Sequence, residues 1–369
     1  MQKTSRLFAL DGLRGLIMLT MALDHANIFI SRAHTSGEFW GGSFPTFPDT
    51  ISFLTRFVTH FSAPGFFFLM GIGMMLFAES RKDRNWANGK IFTHFLVRGL
   101  LLIAFQFLLE NKAWQFGGAL PEIPYFGVLY ALGGTMLLAA IFITRSTKFL
   151  VVLGLALFIG TEIAIPATEQ FAAFEHAPTL INYFLIATKR GLVFYPLLPW
   201  RELVIFGLVF GRWIKQDTRA AFRNAPKIGL GLLLGFILIR YLNGFGNLRP
   251  MPNETWMTFF NIVKYPPSWA FTLLTTGVIF IILGGLSKLN EKSQIIFKPI
   301  LIFGQAPLFF YITHLFLYGW IGKTYFPNGT TIPQMYPYWL LGLLILFPLC
   351  YAFNHFKHNQ PQDSLVLFL

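Results

Sequence analysis

The amino-acid sequence predicts an all-α fold, a polytopic transmembrane helical bundle that forms one domain over residues 1–369. Hydrophobic residues make up 54% of the chain and charged residues only 12%, whereas a soluble domain carries roughly 25% charged residues. The mean hydropathy is +0.57, and long apolar stretches recur along the chain. Aromatic residues reach 18%, with 44 Phe, which is typical of a protein whose solvent is largely lipid.

Ten apolar segments are candidate membrane spans. Several are shorter than the roughly 20 residues that a helix needs to cross a bilayer, so we expect their ends to shift by a few residues. Segment 166–191 leaves room for an eleventh helix. The predicted spans are 8–30, 57–78, 93–110, 125–143, 148–165, 192–213, 227–242, 269–286, 299–321 and 336–353.

The distribution of Lys and Arg predicts a cytoplasmic N-terminus. With ten spans, most basic residues outside the apolar segments fall on the N-terminal side of the membrane, as the positive-inside rule requires. The same rule accounts for the net charge of +13, and since we find no basic, soluble-looking domain, nucleic acid is not an expected partner. The first apolar segment is too long and too charged for a cleaved signal peptide.

Several residues are expected to be structural. Cys350, the only cysteine, excludes an intramolecular disulfide framework and a cysteine-based metal cluster, and no metal is expected. Gly71 and Gly73, in the middle of the second span, should allow close helix packing. The long loops 31–56 and 243–268 either act as functional lids or only cap the bundle.

The first span, ALDGLRGLIMLTMALDHANIF (9–29), carries four ionisable residues, which are costly in hydrocarbon and therefore point to function. At about 100° per residue, Arg14 and His25 share one helix face, roughly 16 Å apart along it. Asp11 and Arg14 are spaced to form an ion pair. Asp24 points about 100° away from His25, so we expect it to pair with another helix.

Further polar groups occur at the depth of His25. They predict one polar pocket near the outer membrane face, because several ionisable groups at one level are less easily explained as isolated structural contacts. Each histidine taken alone is as readily a hydrogen-bonded interhelical group. The pocket is predicted from Asp24, His25, His60 in the second span, Arg201 in the sixth and His314 in the ninth; Glu202 lies beside Arg201, Lys264 precedes the eighth span, and Tyr311 shares a helix face with His314.

Basic residues also gather toward the inner face. Arg98 lies near the inner end of the third span, close to the basic loop that contains Arg81 and Lys82. Arg98 either extends its guanidinium to the interface or faces an anionic ligand that enters from the cytoplasm. The loop alone is weak evidence, because the topology already demands basic residues there.

The DGLRG motif followed by His25 resembles the first helix of acyltransferase family 3 membrane proteins. The chain as a whole resembles more specifically the heparan-α-glucosaminide N-acetyltransferase catalytic-domain family, a related transmembrane acyltransferase group with many bacterial members. The blocks that carry this resemblance span nearly the whole chain in order. They are ALDGLRG…ALDH (9–25), THFSAPGFFFLMG (59–71), FYPLLPW (194–200), KYPPS (264–268) and PLFFYITH (307–314).

The resemblance implies an integral protein of the bacterial inner membrane that transfers an acyl group, usually acetyl, from cytoplasmic acyl-CoA to a sugar or glycan at the outer face. Members that act on heparan carry their proposed catalytic histidine just before the second span. Thr50 stands there in this chain and His34 lies well upstream, so we expect His25 to be the general base, assisted by His60.

The remaining roles follow from these expectations. Asp24 and His314 complete the catalytic group. Arg14, Arg98, Arg81 and Lys82 are expected to bind the acyl-CoA co-substrate, and Arg201, Glu202, Tyr311 and Lys264 the acceptor. Membrane lipids are expected partners, and a homodimer is left open.

The sequence leaves open both the catalytic route and the class of function. Catalysis could proceed by general-base transfer or through an acyl-histidine intermediate. The rival function is a proton-coupled transporter or exporter of a small anionic or glycan-related solute, although we find no internal repeat of the kind that many transporters show. A non-catalytic scaffold is least favoured because of the charge inside the spans.

Overall fold

A computed structural model of the protein describes residues 2–34, 38–165, 180–185, 193–253 and 255–361. These residues form helices joined by loops, with two isolated β-bridges and no strand among them. The predicted all-α fold class is therefore confirmed.

The described helices are numbered here in chain order. Two π-helical turns, Asn27–Ser31 and Gln106–Glu110, continue α1 and α4 respectively. The helices are α1 Gln2–Ala26, α2 Thr50–Thr59, α3 Ser62–Lys82, α4 Asn88–Phe105, α5 Asn111–Phe116, α6 Val128–Ala140, α7 Thr147–Ala164, α8 Leu180–Phe184, α9 Leu197–Gln216, α10 Thr218–Leu242, α11 Trp256–Phe260, α12 Trp269–Leu286, α13 Glu291–Gln305, α14 Pro307–Tyr325 and α15 Ile332–His358.

Each of the ten predicted spans overlaps helical residues, but 299–321, predicted as one span, contains the 84° bend between α13 and α14, and 57–78 contains the break between α2 and α3. Within the described ranges, seven helical stretches are long and apolar enough to cross a membrane, and the bent pair α13–α14 makes up to eight. Helix α6 has 13 residues, which is short for a crossing, and α9 carries Arg201, Glu202 and Arg212. The count of about ten and the cytoplasmic N-terminus therefore stay predictions. Segment 166–191 lies outside the described residues except for 180–185, which contain α8.

Three helix irregularities lie close to the polar residues of the bundle. The π-helical turns follow directly on α1, which ends one residue after His25, and on α4, and such turns are frequent at functional sites. Helices α13 and α14 meet at 84°. Pro307 explains this bend, because proline lacks the N–H that a continuing helix needs and is favoured in a first helical turn. The bend gives α14 its own direction, and α14 carries Tyr311 and His314.

Glycines allow the helices to approach closely. A Cβ atom on Gly71 of α3 would lie 2.1 Å from the carbonyl oxygen of Val204 in α9, and one on Gly15 of α1 would lie 2.3 Å from that of Ile300 in α13. Only glycine fits such contacts, which confirms the packing role of Gly71. A Cβ atom on Gly73 would meet nothing within 4 Å, so the packing role predicted for Gly73 was wrong; this residue lines a cavity instead.

The two long loops at the His25 end of the bundle pack against each other. The backbone N–H groups of Lys264 and Tyr265 both donate to the carbonyl oxygen of Glu38 at 3.1 Å, and Trp40 N–H donates to Tyr265 at 3.0 Å. Arg249 donates to three main-chain carbonyls of the first loop at 2.9–3.3 Å. The loops thus form a fixed cap, and this cap places Glu38 and Lys264 beside the helix ends.

Candidate active site

A cavity of about 550 Å³ lies between the loop cap and the helix ends. We call it the histidine cavity because His25 lies in its wall. Four residues predicted to act in catalysis or acceptor binding line it: Asp24, His25, Lys264 and Tyr311. The rest of the wall is largely aromatic and includes Trp114, so the cavity combines a few polar groups with an apolar lining, as small-molecule sites commonly do.

A second cavity, of about 330 Å³, lies toward the other end of α1. We call it the arginine cavity, because Arg14 and Arg98 line it together with Lys357 and Gln305. Arg14 Nη1 donates to Asp11 Oδ1 at 2.8 Å, which confirms the predicted ion pair. Since Asp11 offsets only one of the three cations, the cavity has an excess of positive charge and fits an anionic ligand.

The two cavities share part of their walls. Phe66, Val128 and Tyr311 line both of them, so the two spaces adjoin at these three side chains. The Tyr311 hydroxyl is hydrogen-bonded to the buried carboxyl group of Glu110. Glu110 also accepts from Trp114 Nε1 at 3.3 Å. The predicted stripe from Arg14 to His25 therefore joins two cavities that nearly meet.

His25 and His314 form a hydrogen-bonded pair. His25 Nδ1 lies 2.6 Å from His314 Nε2, and His314 Nδ1 lies 2.8 Å from the carbonyl oxygen of Phe310. A carbonyl oxygen can only accept, so His314 Nδ1 must carry a proton. In a neutral His314 the lone pair is then on Nε2, and His25 Nδ1 donates to it.

The unprotonated nitrogen of a neutral His25 is consequently Nε2. No hydrogen bond occupies this atom among the described residues, and His25 lines the cavity. His314 is fully buried and does not line either cavity. It fixes the tautomer and ring orientation of His25 from behind, as second partners of functional histidines do.

Asp24 forms an ion pair with α2, as the sequence predicted, and does not orient His25. Arg56 Nη1 donates to Asp24 Oδ1 at 2.6 Å, and Arg56 Nε to Glu38 Oε1 at 2.5 Å; a further bond joins Arg56 to the other Glu38 oxygen. Thr59 also donates to Asp24, at 2.8 Å. Arg56 is 1% exposed and Glu38 is 2% exposed. The two buried carboxylates therefore share one buried guanidinium, a fork geometry that lysine cannot reproduce.

The charge balance around Glu38 lowers its pKa. Burial alone would raise the pKa of this carboxyl group, but the Arg56 guanidinium and the His60 ring stabilise the carboxylate and hold its pKa well below the usual range. His60 donates to the Arg56 carbonyl oxygen through Nδ1 at 2.9 Å, and its Nε2 lies 3.3 Å from Glu38 Oε1. Both of its nitrogens are thus directed at acceptors, and His60 lies behind Glu38, off the cavity wall.

His34 lies on the wall of the histidine cavity. Its Nε2 is 3.5 Å from Asp24 Oδ1. The first loop therefore returns His34 to the site. In the described part of the chain, these His, Asp and Glu side chains form no group of three arranged to hold a metal ion.

Lys264 extends from the loop cap into the histidine cavity and is 3% exposed. Its Nζ lies 5.0 Å from the centre of the Tyr265 ring. It makes no ion pair or side-chain hydrogen bond with any described residue. Burial, and the nearby Arg56 charge, lower the pKa of its ammonium group to about 8. A buried ammonium group without an acceptor is costly unless a ligand supplies one.

Besides His60 and His314, four predicted site residues line neither cavity. The Glu202 carboxyl group accepts from Thr272 Oγ1 at 3.0 Å inside the bundle, and Arg201, next to it, is only half-buried. On the other side of the bundle, the Arg81 guanidinium lies 4.7 Å from the Phe77 ring centre, and Lys82 pairs with Glu79 at 3.6 Å. The structure therefore does not bring these four residues together with the two arginines of α1 and α4 or with His25.

A scan of protein families matches residues 6–239 to the family described as heparan-alpha-glucosaminide N-acetyltransferase, catalytic. Among curated proteins there is no match. The matched range contains Arg14, His25 and Arg56, whereas Lys264 and His314 lie beyond it. The match also covers well over half of the chain.

Proposed function

We infer the function from the family to which the chain belongs, the heparan-alpha-glucosaminide N-acetyltransferase catalytic family. We propose that the protein is a membrane-bound enzyme that transfers an acyl group from acyl-CoA to a sugar or glycan. Acetyl is the favoured acyl group, and a hydroxyl or an amine of the sugar is the acceptor. The observation that carries the proposal is the His25–His314 pair, whose 2.6 Å contact leaves His25 Nε2 as a base in the wall of a cavity.

In this mechanism the acceptor gives its proton to His25 Nε2 while its oxygen or nitrogen attacks the thioester carbonyl carbon. The new acyl–oxygen or acyl–nitrogen bond forms, and the carbon–sulfur bond breaks when the tetrahedral intermediate collapses. The imidazolium then returns the proton to the leaving sulfur, so free CoA is the second product. Histidine suits both steps because its ordinary pKa lies near working pH. Direct attack by Nε2, with an acyl-histidine intermediate, would use the same lone pair.

The arginine cavity is the proposed entrance for the donor. Arg14, Arg98 and Lys357 line it, and cationic side chains are the usual partners of nucleotide phosphates. The acyl end of the donor would then reach His25 past Phe66, Val128 and Tyr311. The contact of both cavities with the same three side chains supports this path.

The positive-inside distribution supports a cytoplasmic arginine cavity and an outward histidine cavity. We accordingly place the protein in a bacterial inner membrane, with the donor entering from the cytoplasm and the acceptor at the outer face. The matching family and the apolar helices support an integral membrane location. A homodimer in the lipid bilayer remains a prediction.

Transport is the second candidate, because two adjoining cavities would also suit alternating access. The two functions are separated with purified protein in vesicles, with acetyl-CoA on the side of the arginine cavity and glucosamine as the acceptor probe on the other. Acyl transfer predicts glucosamine-dependent release of CoA and an acetylated sugar detected by mass spectrometry. Net movement of glucosamine without release of CoA would overturn the proposal in favour of transport.

The natural acceptor is to be found by mass spectrometry of envelope glycans from cells with and without the protein. If the protein acylates a glycan, we expect the mass of that glycan to fall by one acyl group when the protein is removed. Restoration of that acyl group by the wild-type protein, but not by the His25→Ala variant, ties the change to the site. If the purified enzyme is active but the glycans of cells with and without the protein are the same, the acceptor is a small free sugar.

A further inference from the structure

The histidine cavity contains a base but also needs a group that stabilises negative charge. When an acceptor attacks a thioester, the carbonyl oxygen becomes an oxyanion, and a fixed donor at that oxygen is commonly the largest single contribution to catalysis. Such a donor has to be buried, fixed in position and free of other hydrogen-bond partners.

Most donors in the wall are engaged with protein groups. His34 faces Asp24 at 3.5 Å, and Ser62 is hydrogen-bonded to Thr20 at 2.9 Å. One of the hydroxyl groups of Tyr195 and Tyr265, which lie 3.4 Å apart, donates to the other and leaves one neutral hydroxyl donor there; the hydroxyl of Tyr311 is bonded to Glu110. Arg32, another cation of the wall, is exposed at the surface.

Lys264 has the missing properties. Its ammonium group is buried, lines the cavity and has three N–H donors without an acceptor among the described residues. Its backbone is fixed to Glu38 at 3.1 Å, and its side chain packs along the Tyr265 ring. Lys264 and His25 line the same cavity, so an acyl donor bound in this cavity has a base and a cationic donor in its surroundings.

Arg56 keeps Lys264 available. The nearest carboxylates are those of Asp24 and Glu38, and either would capture an ammonium group by forming an ion pair. The Arg56 guanidinium binds both carboxylates instead. Lys264 therefore forms no ion pair with these carboxylates, although their charge raises its pKa. Burial and the Arg56 charge lower the same pKa.

We propose that Lys264 donates a hydrogen bond to the thioester carbonyl oxygen of the acyl donor and stabilises the oxyanion that forms when the acceptor attacks. The inference rests on the proposed acyl transfer and gives Lys264 a catalytic role in it. No proton leaves Lys264 in this step, because the acceptor proton goes to His25 and then to the leaving sulfur.

The test measures two reactions of purified protein in detergent: transfer of acetyl from acetyl-CoA to glucosamine, and hydrolysis of acetyl-CoA with water as the only acceptor. Both reactions form the same oxyanion. The Lys264→Met variant is expected to lose about 10²-fold in kcat for both, with KM values for donor and acceptor changed by less than about threefold. Lys112→Met, at an exposed lysine of α5, is the matched control and should change neither.

The pH profile is an independent readout, which remains usable if Lys264→Met folds poorly. Wild-type kcat should fall as pH rises through about 8, where the Lys264 ammonium loses its proton. Lys264→Arg should keep part of the activity and lose this alkaline decline, since arginine stays charged above pH 12. The other groups that face Lys264 or interact with its charge are Asp24, Glu38, Arg56, His25, His60 and Tyr265, and none of these is changed in the variant.

Three outcomes are distinguishable. Wild-type protein that releases no CoA with any acceptor would contradict the proposed function itself. An active enzyme whose Lys264→Met variant has a raised KM for glucosamine but unchanged hydrolysis would overturn the oxyanion role and make Lys264 an acceptor-binding residue. An alkaline decline that persists unchanged in Lys264→Arg would likewise contradict the inference.

Discussion

His25 Nδ1 lies 2.6 Å from His314 Nε2, and this contact joins α1 to α14 inside the bundle. The direction of the hydrogen bond follows from the Phe310 carbonyl oxygen, which takes the other His314 proton at 2.8 Å. One residue thus fixes the proton of another, and the free lone pair of His25 is left on the cavity side. His314 should accordingly affect the reaction without touching either substrate.

Replacement of His314 by Phe is expected to lower kcat by about 10–10²-fold, because His25 loses the acceptor that fixes its tautomer, while general acid–base catalysis as a whole contributes about 10²–10⁴-fold. The phenyl ring keeps most of the buried volume. The double variant His25→Ala/His314→Phe should be no slower than His25→Ala alone, since coupled residues are not additive. The rate of acetyl transfer to glucosamine is measured for the two single variants and the double variant. His355→Phe, at an exposed position of α15, is the control.

Replacement of Arg56 by Gln should destabilise the protein more than any surface arginine does. Removal of one partner of a buried ion pair costs about 3–5 kcal/mol, and here two carboxylates lose the same partner. The unfolding temperature in detergent measures the effect, with Arg84→Gln at an exposed position as control. Equal unfolding temperatures for the two variants would show that the carboxylates find other partners.

The residues that the sequence predicted correctly are those whose relationship is local. Arg14 and His25 share a helix face, and Asp11 pairs with Arg14, because helical periodicity alone sets these positions. Asp24 was correctly expected to pair with another helix. The sequence does not identify its partner Arg56, since nothing in a single sequence tells which helix lies beside α1.

The residues that were missed or misplaced depend on long-range packing. Glu38 and His34 reach the site only because their loop folds back and bonds to the loop that carries Lys264. Lys357 joins Arg14 and Arg98 from the far end of the chain. Arg201 and Glu202 lie at a suitable depth in α9, but the packing directs Glu202 to Thr272. Two carboxylates within one outer region could have signalled a buried cation.

Acid should destabilise the protein partly through Glu38. Its pKa in the folded protein lies well below the ordinary value of 4.5, so at low pH the unfolded chain binds a proton that the folded chain does not. Stability from this group is complete above about 4.5 and is lost as pH falls toward the folded pKa. The unfolding temperature of Glu38→Gln should therefore depend less on pH between about 5 and 3 than that of wild type or of the control Glu122→Gln, at an exposed position.

Replacement of Phe66 by Ala should remove part of the wall that the two cavities share, because this side chain lines both. Water would then reach the thioester more easily, and we expect acceptor-independent hydrolysis of acetyl-CoA to rise several-fold while transfer to glucosamine falls. Release of CoA with and without glucosamine gives the ratio of the two reactions. Phe92→Ala, at an exposed position of α4, serves as the control, and an unchanged ratio for Phe66→Ala would place the acyl path elsewhere.

Replacement of Arg98 by Gln should weaken the binding of the acyl-CoA donor and leave the chemical step unchanged. Arg98 lines the arginine cavity with Arg14 and Lys357, where a cation would contact the phosphates of CoA. We expect the KM for acetyl-CoA to rise about tenfold, which corresponds to roughly 1.4 kcal/mol of binding free energy, with little change in kcat. Acetyl-pantetheine, a donor without phosphates, should react equally well with wild type and Arg98→Gln. The control Arg223→Gln, at an exposed position, should react as wild type does with both donors. An equal loss with both donors would mean that Arg98 supports the fold and does not bind phosphate.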